Sequence, residues 1–167
     1  PKIAFTIEFF PEEGKYHFSG HRNCGIKQSD EETASRGTIC PVCKKKLTLG
    51  VMHRVNSLAK RSAKELAMEI SKEGFVKSKF LANRPPFVSL VPLQEIIAES
   101  FGISPASEKV KVEYLNLVKN LGSELNILLE VQIEQITKAA SLATIAAGVQ
   151  KVRERDLVIE PGFDGVF

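Results

Sequence analysis

The sequence has 167 residues, 43% of them hydrophobic and 26% charged, with no Trp and a formal net charge of +3. An apolar fraction of this size, recurring periodically, excludes intrinsic disorder, and no apolar run approaches the roughly 20 residues that a membrane-spanning helix needs. Three cysteines, an odd number, and no secretory leader argue against a disulfide framework and make a reducing cytoplasm the expected compartment.

The chain starts at Pro1 rather than Met and enters a strand-like run at once, so it is expected to be cut from a longer polypeptide. Ile3, Phe5, Ile7 and Phe9 alternate with polar or small residues, which predicts a half-buried strand over residues 3–10, ended by Pro11 and Gly14. Residues 15–49 are too polar and too poor in large aliphatics to build a core, although residues 15–18 and 45–49 are strand-like. Something other than burial must hold them. Ser29 and Glu32 have the spacing of a capping box and predict one short helix here.

Leu58, Leu66 and Ile70, with Ala63 and Ala67, predict short helices before Pro85-Pro86 and Pro92 break the chain. From there the pattern is helical. Leu93, Ile96, Ile97 and Phe101 form one stripe, and Val110, Tyr114, Leu117, Val118 and Leu121 a second. Gly102 and Gly122 stand where residues that end helices belong. A last stripe runs through Leu142, Ile145, Ala146, Val149 and Val152, and Leu157-Val158-Ile159 predicts a short strand before Pro161-Gly162. The expected organisation is a strand or connector over 1–14, a basic metal-binding module over 15–84 and a helical domain over 85–167. The fold class is α+β, mainly α.

The strongest local signal is His21-x2-Cys24, a fifteen-residue spacer, and Cys40-x2-Cys43. Two residues between ligands let a tight turn aim both side chains at one ion, and two such turns complete a tetrahedron. Gly25 follows the first pair, as such a turn prefers, whereas Lys44 follows the second. Three thiolates and an imidazole favour Zn²⁺, and four protein ligands leave no open position, so the site is expected to be structural. The competing readings are a redox pair of Cys40 and Cys43, which lacks a thioredoxin-like context, and cysteines that are simply buried. His17 and His53 are alternative ligands to His21, which alone repeats the two-residue spacing.

The charge divides unevenly. Residues 36–84 carry twelve Lys/Arg against three Asp/Glu, a net of +9, between segments of −2 and −4. Basic density beside a metal site suits phosphate contacts, and Arg22, Lys44, Lys45, Lys46, Arg54, Lys60 and Arg61 are the candidate nucleic-acid contacts; a solvated surface is the competing reading. Few aromatics interleave with these charges, which gives no indication of stacking on single strands.

Several blocks, in order along nearly the whole chain, resemble the C-terminal portion of endonuclease Q, a family also described as helicase-related. They are Tyr16-His17-Phe18-Ser19-Gly20-His21-Arg22-Asn23-Cys24-Gly25, Cys40-Pro41-Val42-Cys43, Gly50-Val51-Met52-His53-Arg54-Val55 with Leu58-Ala59, Val91-Pro92-Leu93-Gln94-Glu95-Ile96-Ile97-Ala98-Glu99, Gly122-Ser123-Glu124-Leu125-Asn126-Ile127-Leu128-Leu129 and Pro161-Gly162-Phe163-Asp164-Gly165-Val166-Phe167. The resemblance implies an N-terminal polymerase-and-histidinol-phosphatase (PHP) domain that holds the hydrolytic metals, a zinc module and a helical tail, and cleavage of DNA on the 5′ side of deaminated bases or at abasic sites. With only three histidines, this chain lacks that hydrolytic cluster. The run at 3–10 would then be the last strand of the PHP domain or the connector leaving it.

The helical tail resembles, more loosely, tandem helix-hairpin-helix modules, whose glycine turns let backbone amides reach a phosphate. It departs from that pattern: the first turn has only Gly102, and the second reads Ala139-Ala140-Ser141 with no glycine. The expectation is therefore a zinc-stabilised, DNA-binding accessory region of a repair endonuclease, with duplex DNA and the absent catalytic domain as partners. The first rival is a protein-binding scaffold with a merely solubilising basic segment. The second is a self-contained enzyme, for which only scattered His17, His53 and Asp164 are on offer.

Overall fold

The computed structural model describes residues 2–167; Pro1, on which the expectation of a cut chain rests, lies outside the described residues. Contacts divide the chain into two compact units. One runs up to Glu8 and resumes over Glu69–Leu157, and the other joins Phe9–Met68 to Val158–Phe167. The chain crosses between them after residues 8, 68 and 157, so residues 69–84 group with the helices.

In chain order the elements are β1 (Thr6–Glu8), β2 (Ser19–His21), β3 (Ile26–Gln28), α1 (Asp30–Arg36), α2 (Val51–Leu58), α3 (Ala63–Leu66), β4 (Met68–Ile70), β5 (Val76–Ser78), β6 (Phe87–Ser89), α4 (Leu93–Phe101), α5 (Glu108–Leu121), α6 (Glu124–Leu129), α7 (Ile133–Ala139) and α8 (Ala143–Glu154). The class is α+β and mainly α, a small β module with a His/Cys cluster and a helical C-terminal part. No helix among the described residues is long and apolar enough to cross a membrane.

The helical unit is built on the stripes legible in the sequence. Leu93, Ile97, Val110, Leu117, Ile145 and Val149 are fully buried in one core. Gly102 ends α4 in the left-handed region at φ 66°, its amide donating to the carbonyls of Ala98 and Glu99. A four-stranded sheet, ordered β1-β6-β5-β4, belongs to the same unit. Its β1 runs parallel to β6, and β5 pairs antiparallel with β6.

Three expectations are corrected. The strand predicted over 3–10 is confined to Thr6–Glu8, at the edge of the sheet, and its apolar residues are not buried: Ile3 and Phe9 keep 69% and 68% exposure. With one partner strand only three residues find ladder bonds, and Phe5 instead sets its ring edge-on to Phe75 at 5.0 Å. Ile70 is a strand residue, because Ala67 enters the left-handed region at φ 46° and stops α3 after Leu66. Residues 157–159 form no strand; Val158 is fully exposed and no strand among the described residues pairs with it.

Half-buried charged groups complete the helix ends. The Arg153 guanidinium on α8 donates to the carbonyls of Ile127, Leu128 and Val131 at 2.7–2.9 Å, covering the C-terminus of α6. Glu124 accepts from the Leu93 amide at the start of α4 and from the Tyr114 hydroxyl, at 2.8 and 3.0 Å. Burial and the Glu124 carboxylate together hold the Tyr114 phenol above its ordinary range. Arg153→Ala, which leaves three carbonyls without their donor, is expected to lower unfolding free energy by about 2–4 kcal/mol in urea titrations. Arg153→Lys should recover only part of that loss, because one ammonium cannot reproduce the planar fork.

Candidate metal centre

Two hairpins form the centre. In the first, β2 pairs antiparallel with β3, and a single 3-10 turn over Arg22–Cys24 joins them. His21 therefore stands at the end of a strand and Cys24 at the end of the turn. Gly25 follows at φ 65°, returning its amide to the Arg22 carbonyl at 3.0 Å. In the second, Ile39 bridges Lys46, the Cys40 amide donates to the Lys45 carbonyl, and the Leu47 amide donates to the Thr38 carbonyl. The turn at residues 41–43 closes with Lys44 at φ 61°. Both knuckles thus need a left-handed residue after the second ligand. Glycine supplies it at no cost in the first, and in the second Lys44 accepts the strain while its ammonium donates to the Pro41 carbonyl.

Gly20 and Thr48 exchange two backbone hydrogen bonds of 2.9 Å, which join the hairpins edge to edge. The approach is close enough that a Cβ on Gly20 would sit 2.5 Å from the Phe163 ring and 2.6 Å from the Ile26 carbonyl. This join turns the knuckles toward each other. The ligand atoms of His21, Cys24, Cys40 and Cys43 all lie within 4.8 Å of one another, and Cys43 Sγ is 3.3 Å from His21 Nδ1. Tetrahedral zinc bonds of roughly 2.1–2.3 Å place neighbouring ligand atoms roughly 3.5–3.8 Å apart, so the donor set fits such an ion in number, softness and spacing.

The electrostatics describe a site waiting for positive charge. Burial, followed by the neighbouring Cys43 and Cys40, pushes the Cys24 thiol up to about 11. Cys40, wholly buried, is also penalised by desolvation, but the amides of Cys43 and Val42 and the side chains of His21 and Cys43 outweigh it and hold the thiol down at about 6. A cation at the centre removes the conflict, since thiolates are the metal-binding form.

His17 and His53 are not in this group. His17 is buried against the Phe18 ring, and its carbonyl accepts from the Met52 amide; His53 is half-buried on α2. The capping box at Ser29 and Glu32 is present in both directions and starts α1 where the sequence predicts it.

Sequence reasoning left Asp164 without a role. Its carboxylate accepts from the Arg22 amide at 2.7 Å and from the Thr48 hydroxyl, so one side chain of the C-terminal segment grips both hairpins beside their metal ligands. The Thr48 hydroxyl first, then the Arg22 amide, hold this carboxyl below the usual carboxylate range. The segment is sewn in by the Gly162 carbonyl, which accepts from Phe18, and by the Lys15 carbonyl, which accepts from Gly165. Gly50 is a second missed residue: its amide donates to the buried Ser19 hydroxyl, and a Cβ there would lie 2.4 Å from the Phe18 backbone. Only the clustered Pro161-Gly162 and Gly165 around Asp164 hinted at a shaped tail.

The seven basic candidates, Arg22, Lys44, Lys45, Lys46, Arg54, Lys60 and Arg61, are all exposed and all fall in the metal-bearing unit. That unit carries a net +3, whereas the helical unit balances to zero. In the helical unit two amides of the hairpin turns are engaged internally: Glu113, buried on α5, accepts from the Ser141 amide at 2.7 Å, and the Gly102 amide caps α4.

The domain family described as MJ0043 C-terminal domain matches residues 92–156. An uncharacterized protein, MJ0043 of Methanocaldococcus jannaschii, is 26% identical over 166 residues, which is 99% of this chain and 19% of that protein. Among solved structures, the lesion-specific endonuclease PfuEndoQ from Pyrococcus furiosus aligns at TM-score 0.78 and 30% identity over 99% of this chain and 37% of its own. A structure of endonuclease Q in complex with a 27-mer duplex substrate carrying an abasic lesion at the active site aligns at 0.76 and 30% identity over 99% of this chain and 38% of its own. The chain spans well under half the length of each of these relatives.

Elemental analysis of purified variants is expected to find the metal lost in His21→Ala and retained in His17→Ala. Asp164→Ala, which releases the Arg22 amide without touching a ligand, is expected to speed metal transfer to a chromogenic chelator several-fold at neutral pH.

Proposed function

Since the chain is similar throughout its length to the C-terminal part of endonuclease Q, we propose that it is the zinc-stabilised, DNA-binding accessory region of a repair endonuclease of that kind. The similarity over 99% of the chain to a protein solved on a duplex substrate is the observation that carries this reading. His21, Cys24, Cys40 and Cys43 hold the zinc. The ion supplies a cross-link between two hairpins and no reaction step, because four protein donors leave it no open position. Binding free energy on the order of 10 kcal/mol then becomes folding free energy for a segment with few buried aliphatics.

The metal-bearing unit meets the phosphodiester backbone. Arg22 lies within the first knuckle, Lys44 closes the second with Lys45 and Lys46 following it, and Arg54, Lys60 and Arg61 lie on or just beyond α2. Contacts of this kind fix orientation and register without reading sequence, which suits an enzyme that must scan for a damaged base. Hydrolysis of the phosphodiester belongs to a PHP-type domain of the same polypeptide, and this region positions the duplex so that a lesion can leave the stack.

Fluorescence anisotropy with a labelled duplex is expected to show binding whose log K falls linearly with log salt concentration, with little dependence on sequence and no cleavage of the DNA. Lys45→Gln with Lys46→Gln should reduce the slope by about 2, close to 0.9 per phosphate contact removed, as a rough guide. Absence of any affinity at low salt overturns the assignment, and a nuclease-resistant protein complex in its place supports the scaffold reading.

A further inference from the structure

The β5–β6 connection combines three features that no role described above uses. First, its tip exposes a large aromatic ring: Phe80 keeps 54% of its surface in solvent, with Leu81 beside it at 38%. Second, the chain around that tip is basic although the helical unit as a whole is neutral: residues 76–86 carry Lys77, Lys79 and Arg84 with no acid, and all three cations are exposed. Third, the loop is built to keep its shape. The buried Ser78 hydroxyl accepts from the Leu81 amide at 3.1 Å, the Arg84 amide returns to the Leu81 carbonyl at 2.8 Å, and Pro85-Pro86 stiffens the return strand. The Pro86 carbonyl in turn accepts from the Thr6 amide at 3.0 Å, tying the loop to β1.

We propose that this loop is a second DNA contact, in which Phe80 stacks on a nucleobase at a break in the duplex stack while Lys77, Lys79 and Arg84 hold the flanking phosphates. The proposal rests on the DNA-binding reading of the chain and adds to it the element that senses local unstacking. A single exposed Phe is unremarkable on a protein surface. One held at the tip of a braced hairpin among cations combines what stacking on nucleic acid needs: an aromatic face, positive charge alongside and little entropy to lose on binding. Lys79 is ion-paired with Glu69 at 2.6 Å in a solvent-exposed pair, and such pairs are weak enough to exchange for a phosphate. Intact duplex keeps its bases paired and offers the ring no face, so the contact discriminates in favour of an abasic or otherwise disrupted step.

The chain has no Trp, so Phe80→Trp installs a single indole reporter, excited selectively at wavelengths longer than Tyr16 and Tyr114 absorb. It is titrated with two labelled duplexes, identical except for one abasic site, while anisotropy of the DNA label is followed in parallel. The indole is expected to be quenched by the abasic duplex and little affected by the intact one. Phe80→Ala in the same assay should weaken binding of the abasic duplex about tenfold and of the intact duplex much less, and Lys77→Gln or Arg84→Gln should each lower the salt slope by about 1. If anisotropy rises while the indole stays unchanged and Phe80→Ala binds as tightly as the parent chain, the loop assignment is wrong and the DNA-binding reading stands. If neither duplex binds the parent chain at low salt, both fall.

Discussion

Three cysteine sulfurs drawn within 4.8 Å of one another and of an imidazole cannot all adopt the thiolate form that binds a metal unless something offsets their mutual repulsion. The opposed shifts of Cys24, pushed up to about 11, and Cys40, held down at about 6, express that conflict within the protein alone. A bound cation resolves it, and the rest of the metal-bearing unit follows from the need to bring the four donors together. The paired amides of Gly20 and Thr48 bring the hairpins into register, and the left-handed residues Gly25 and Lys44 close the knuckles. Asp164 then ties the C-terminal segment across both. The polar segment predicted to lack a core buries few large apolar residues, Phe10 and Leu47 among them.

The helical unit solves its polar problem differently, with its own charged side chains. Glu124 occupies the start of α4, Glu113 takes the Ser141 amide before α8, and Arg153 covers the end of α6. Each places a full charge where a helix terminus presents the opposite partial charge. Cations not balanced by acids collect in the other unit, which holds the His/Cys cluster.

How much of this was legible in the sequence depends on the range of the interactions involved. The His-x2-Cys and Cys-x2-Cys pairs, the capping box at Ser29 and the apolar stripes of α4, α5 and α8 are local patterns with fixed periods, and the structure contains each of them. The sheet ordered β1-β6-β5-β4 was not legible. Its strands are three residues long, too short for an alternation to register, and β1 pairs with a segment about eighty positions away. The strand expected at 157–159 failed for the complementary reason: three β-branched or aliphatic residues satisfy a propensity, but no neighbour supplies the ladder.

The sequence by itself determined which four residues gather into the candidate metal site and which helices share a core, because ligand spacing and the 3.6-residue period are written within a few turns of chain. It also placed the basic residues, though not their grouping. Only the tertiary structure decided that residues 9–68 and 158–167 form one unit, that Asp164 serves the metal centre, and that Glu113 and Arg153 complete helices far from them in sequence. A carboxylate or guanidinium carries no local mark of the partner it will find. That partner is set by backbone groups left unsatisfied in the fold, which exist only once the elements have packed.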